Sequence, residues 1–115
     1  MIRAAASQAE QAQLLRSYYR PGNLLILPNV WDAASARAVE KAGFAAIATG
    51  SAGIAAVLGY ADHEAAPVGE MFDMAKRIAR VTTLPVTVDA EAGDGLEPAE
   101  LVERLKSFGA AGCNL

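Results

Sequence analysis

Pro85-Val86-Thr87-Val88-Asp89-Ala90-Glu91-Ala92-Gly93-Asp94-Gly95 sets the frame for the chain. Val86-Thr87-Val88 is β-branched throughout and is entered through a proline, so Pro85 to Asp89 reads as a buried strand. The acidic, glycine-punctuated segment behind it reads as a turn at the strand's C-terminal end.

Helical periodicity lies on both sides of that strand. Before it, Met71, Met74, Ala75 and Ile78 recur at helical spacing within Glu70 to Val81. After it, Glu97-Pro98 opens a helix to Phe108, with Leu101, Val102 and Leu105 inward and Gly109 closing it. Ala111 to Leu115 then starts a further strand. Toward the N-terminus, Phe44 to Thr49 reads as a strand preceded by a helix that Asp32 caps and that runs through Lys41. Leu24 to Leu27 reads as the first strand, and Ser7 to Tyr19 as an opening helix with Ser7 and Glu10 in a capping box. Gly50 to Ala61 is too interrupted by glycine for a helix and too apolar for a solvated loop, so it is expected to pack over something.

The order β-α-β-α-β-α-β, with short connections and apolar strands, predicts parallel strands joined by right-handed crossovers. The fold class is α/β. A (β/α)₈ barrel takes about 250 residues, so this 115-residue chain, with about four strands and an extra N-terminal helix, matches the N-terminal half of one. Residues 1–115 are expected to form a single partial barrel domain that stops in or just after the fourth strand. A small doubly wound sheet is the competing architecture, but Leu27-Pro28-Asn29-Val30-Trp31-Asp32 lacks a glycine-rich phosphate turn at the first strand-helix junction.

Composition narrows the function. Hydrophobic residues make up 53 % and charged residues 20 %, enough for a buried core, and the net charge of −3 comes without any Lys/Arg run. That excludes an electrostatic footprint for nucleic acid or an anionic membrane and favours a small-molecule partner. Cys113 is alone, so no internal disulfide forms. No apolar run is long enough for a signal peptide or a membrane span, and a cytoplasmic protein is expected.

The chemistry concentrates in acids. Between Arg80 and Arg104 there is no Lys or Arg, while Asp89, Glu91, Asp94, Glu97, Glu100 and Glu103 all fall in that interval. Glu97, Glu100 and Glu103 read as a solvated helix face, Asp94 as a turn residue, and Asp89 equally as a strand-end cap or a functional acid. Asp89 and Glu91 stand two apart at a strand end and can point the same way, which suits a cation that prefers oxygen ligands. Cys113 reads as a small buried hydrophobe, His63 as a surface residue, and Trp31 as core or pocket wall.

The segment from Pro85 to Gly95 resembles the third-strand motif of the isocitrate lyase and phosphoenolpyruvate mutase superfamily, an acid pair followed by a glycine turn. Thr49-Gly50-Ser51 and Leu58-Gly59-Tyr60-Ala61-Asp62 are similar to its preceding motif. Asn29 to Arg37 and Lys41-Ala42-Gly43-Phe44 are similar to its first βα unit. The resemblance runs from Leu24 to Leu115. It implies an Mg²⁺-dependent lyase or phosphonomutase-like enzyme, with Mn²⁺ as the alternative ion, that makes or breaks a C–C or P–C bond of a small 2-oxo or hydroxy carboxylate through an enolate-like intermediate. It implies Asp89 and Glu91 as metal ligands, Asp62 as a supporting acid, and Thr49, Gly50 and Ser51 as holders of the substrate carboxylate. Glu91 stands where many members have Asp, and Asp94 where an aromatic residue is common. The catalytic acid and base are expected beyond residue 115, so the chain alone is expected to be inactive and, with unpaired strand edges, to form a homo-oligomer. A catalytically inactive half-barrel and another Mg²⁺-dependent barrel aldolase are the alternative readings.

Overall fold

A computed structural model of the chain describes residues 6–115. Helix α1 (Gln8–Tyr18) begins where the Ser7 hydroxyl accepts from Glu10 N at 3.1 Å. Strand β1 (Asn29–Val30), helix α2 (Ala33–Lys41), strand β2 (Ile47–Thr49) and helix α3 (Ser51–Leu58) follow. Helix α4 (Val68–Arg80), strand β3 (Val86–Asp89), helix α5 (Pro98–Ser107) and strand β4 (Gly112–Asn114) complete the order. The strands lie β1-β2-β3-β4 and all pair in parallel, so each is hydrogen-bonded to its neighbour in sequence. This is the α/β architecture read from the sequence.

The core lies between the sheet and its helices. Val30, Ile47, Val86 and Val88 meet Ala36 of α2, Ile54 and Ala55 of α3, and the strongly apolar face of α4 at Met71, Phe72, Met74, Ala75 and Ile78. Ile47 and Ile78 are fully buried, and removing such a side chain costs about 2–5 kcal/mol. At the sheet's N-terminal end α1 is tied down by Gln8 Nε2 on Ala110 O (3.0 Å) and Gln11 Nε2 on Thr83 O (2.9 Å). No helix among the described residues is long and apolar enough to cross a membrane.

Three local expectations are corrected. Ladder pairing in the first strand begins only with Ala48 N donating to Pro28 O at 3.0 Å. Leu24 and Ile26 lie before it and stay 86 % and 55 % exposed, because an apolar run at a sheet edge has no neighbour to cover it. Residues Ser51–Leu58 form a helix despite Gly53: burial of Ile54 and Ala55 outweighs the propensity penalty, and Gly59 ends the helix at φ +89. Cys113 is exposed, since it sits on the outer strand β4.

Candidate active site

Parallel pairing brings the C-terminal ends of β2 and β3 side by side, and Asp89 is the hinge of the arrangement. Its own N–H donates to Thr49 Oγ1 at 3.1 Å. Its carboxylate accepts from Ser51 N at 3.2 Å through Oδ2 and from Glu91 N at 3.0 Å through Oδ1. One side chain therefore joins the first turn of α3 to the turn after β3. A carboxylate at a helix N-terminus is favoured by the helix dipole.

The Thr49-Gly50-Ser51 segment is consequently more committed than the sequence suggests. Thr49 is buried with its hydroxyl on β3. Gly50 N donates to Val30 O at 3.2 Å and Ser51 N to Asp89, because strand pairing and helix capping take those amides first. What the segment retains toward a ligand is the Ser51 hydroxyl and the first-turn amides of α3, which have no intrahelical acceptor. A Cβ on Gly50 would lie an ordinary 3.5 Å from Asn29 Nδ2, whereas one on Gly53 would lie 3.2 Å from Trp31 Cβ. Trp31 is a half-exposed wall beside α3.

The loop between α3 and α4 carries Asp62 to the same rim. The His63 backbone N–H, and then the His63 charge, hold the Asp62 carboxyl below its usual range, and Ser51 and Glu91 act on it as well. Asp62, Ser51, Asp89 and Glu91 thus gather at one end of the sheet, with Thr49 and Gly50 beneath them. Burial raises the Glu91 carboxyl; hydrogen bonds from the Ser51 hydroxyl and the Glu64 backbone oppose the rise, while a hydrogen bond shared with the Asp62 carboxylate and the charge of Asp94 add to it. Burial raises Asp94 too, reinforced by Glu64 and opposed by Arg104, whose guanidinium lies 5.1 Å over the Phe72 ring.

A further acidic group shares Glu91 with the predicted pair. Among the described residues, Glu64, Glu91 and Asp94 place carboxylate oxygens within 4.8 Å of one another. Asp89 stands outside this trio because two backbone amides hold it. Glu64 was missed by sequence reasoning: it stands 27 positions before Glu91, and only the loop, with His63 and Glu64 both at left-handed φ (+64 and +62), swings it onto Ala92 N at 2.9 Å. Asp94, read as a turn residue, does adopt the left-handed conformation (φ +53) beside Gly93 and Gly95, and it also joins the trio. An all-oxygen donor set fits Mg²⁺ or Mn²⁺ rather than a thiophilic ion.

Residues 15–115 match the family model described as phosphoenolpyruvate phosphomutase. The chain belongs to this family. Family relatives include a Corynebacterium glutamicum protein named Probable 2-methylisocitrate lyase 2, which is 32 % identical across the whole chain. Two solved structures superpose closely. A Burkholderia cenocepacia protein described provisionally as a phosphonomutase has a TM-score of 0.85 at 46 % identity over 93 % of this chain and 44 % of its own. 2,3-Dimethylmalate lyase has a TM-score of 0.79 at 32 % identity over 94 % of this chain and 39 % of its own. The family fold here is the N-terminal part of the barrel, and the chain spans 38 % of the length of the Corynebacterium relative.

Proposed function

We propose that this chain supplies the cation-binding and carboxylate-binding rim of an Mg²⁺-dependent lyase or phosphonomutase-like enzyme. Its substrate would be a small 2-oxo or hydroxy carboxylate, cleaved or formed at a C–C or P–C bond. The observation that carries the reading is the Asp89 carboxylate, bridged between Ser51 N and Glu91 N. This bridge makes the start of α3 and the acidic turn after β3 a single unit.

In this reading Asp89 and Glu91 hold the ion, Asp62 supports them, and Glu64 and Asp94 add negative potential from the flanking turns. The Ser51 hydroxyl and the N-terminal amides of α3 receive the substrate carboxylate. Thr49 and Gly50 act beneath them, fixing β2 against β3 and β1. When bound, Mg²⁺ supplies Lewis-acid stabilisation of negative charge developing on a substrate oxygen. The general acid and base belong to the remaining part of the barrel, a cytoplasmic location accompanies the assignment, and the unpaired edges of β1 and β4 favour self-association.

Calorimetric titration with Mn²⁺ tests this assignment. The chain should bind the ion weakly, Asp89→Ala should abolish binding, and Glu91→Asp should retain it. Affinity unchanged in Asp89→Ala would remove the metal site and with it the proposed chemistry.

A further inference from the structure

The loop that carries Asp62 and Glu64 is closed at its base by a contact with no part in the chemistry above. Tyr60 follows the Gly59 cap of α3, and its N–H returns to Ala55 O at 2.8 Å. Its hydroxyl donates to Glu70 Oε2 at 2.6 Å. Glu70 lies in the first turn of α4, just past the loop, so the two partners stand ten residues apart and span it. Beyond this contact the chain turns through two consecutive left-handed residues, His63 and Glu64. That conformation is strained for side chains other than glycine and persists only where surrounding bonds hold it. At the tip Glu64 accepts from Ala92 N at 2.9 Å, in the turn that follows Asp89 and Glu91.

We infer that Tyr60 and Glu70 are a positioning pair: their hydrogen bond closes the base of the 61–67 loop and so sets Asp62 and Glu64 against the β3–α5 turn. A short O–H···O⁻ bond is charge-assisted and directional. The Tyr60 ring also packs on the core formed by α3 and α4, which fixes the hydroxyl's origin. Without the bond, the ring still packs, but the directional link from Tyr60 to Glu70 of α4 is lost. The two left-handed residues are then free to relax, and the Glu64 contact with Ala92 opens. The consequence for cation binding rests on the proposed metal site; the consequence for the loop does not.

Hydrogen exchange of the Ala92 amide reads the loop directly, and Mn²⁺ titration reads the site. Tyr60→Phe keeps the ring and removes the hydroxyl. Ala92 exchange should rise about fivefold or more, while amides of β3 and of the α4 interior keep wild-type protection. Mn²⁺ affinity should fall by about tenfold, the usual loss when a group that orients ligands is removed. Glu70→Ala should reproduce both effects, and Glu70→Gln, which still offers a carbonyl oxygen, should restore Ala92 protection. The inference is overturned if Ala92 is unprotected in the wild type, if Tyr60→Phe leaves its exchange unchanged, or if protection falls equally throughout α4. If the wild type binds no Mn²⁺ while Ala92 responds as stated, the metal assignment fails and the positioning pair stands.

Discussion

Glu40 and Glu91 are the same residue type at opposite ends of one sheet, in opposite circumstances. Glu40 lies at the N-terminal end, where one carboxylate oxygen accepts from Thr83 Oγ1 at 2.6 Å and Thr83 N at 3.0 Å. The Thr83 hydroxyl is the main reason its carboxyl sits below its ordinary value of 4.5. Glu91 lies at the C-terminal rim, where burial raises the carboxyl above the same ordinary value and the acids Asp62 and Asp94 raise it further. One acid is satisfied by neutral donors and links α2 to the start of β3. The other is partly desolvated, shares a hydrogen bond with a second acid, Asp62, and faces the charge of a third, Asp94. A folded chain tolerates the second arrangement at some cost in stability, and carboxyls raised in this way concentrate where ligands bind.

The contrast can be broken most severely with the cation. Asp89→Ala should weaken Mn²⁺ binding by at least about a hundredfold, since it removes a ligand rather than a group that orients one. Glu40→Ala should leave the calorimetric titration unchanged. A comparable loss in both variants would mean that the two ends do not differ in function.

Stability should respond in the opposite sense. Glu40→Ala removes two hydrogen bonds that join α2 to the turn before β3, and should cost about 1 kcal/mol by urea denaturation. Glu91→Gln relieves crowding and should stay within about 0.5 kcal/mol of wild type, on the stabilising side. Equal destabilisation by both would show that Glu91 is a structural acid.

The smallest expected effect is in pH dependence, and its sign differs between the ends. Glu40 is held below its unfolded value, so its contribution is present above about pH 4.5 and is lost as pH falls through the lower folded value. Glu91 is held above its unfolded value, so its penalty is full above the folded value and fades as pH falls toward 4.5. Thermal melts of Thr83→Ala and Glu91→Gln should therefore diverge from wild type in opposite directions at pH 7; the Glu91→Gln difference should fade as pH falls toward 4.5, and the Thr83→Ala difference only below that value.

Much of this molecule is legible in its sequence because local signals agree with the tertiary result. Asp32 starts α2 through Ser35 N at 2.7 Å and a reciprocal Ser35 bond, as its position before the alanine run suggests. The β-branched Val86-Thr87-Val88 becomes the fully flanked β3. The Thr49-to-Glu91 neighbourhood follows once the strands are parallel and adjacent. What escaped reading depends on neighbours distant in sequence. Leu24 to Leu27 has the composition of a strand, but pairing rather than composition decides where a strand starts. Helix α3 is stabilised by burial of Ile54 and Ala55, which no local window reveals. Glu64 joins the rim only through a left-handed pair of residues, a conformation that histidine favours somewhat but that a glutamate gives no compositional reason to expect.

The sequential pairing β1-β2-β3-β4 also bears on synthesis. Among the described residues every ladder links consecutive strands, so each of these strands can join its predecessor as soon as it is available. Loop closures are therefore limited to one crossover each. On a ribosome, β1 and β2 can pair while β3 is still in the exit tunnel. The Ser51 amide then remains uncapped until Asp89 emerges, so the rim is the last feature of the first three strands to be completed.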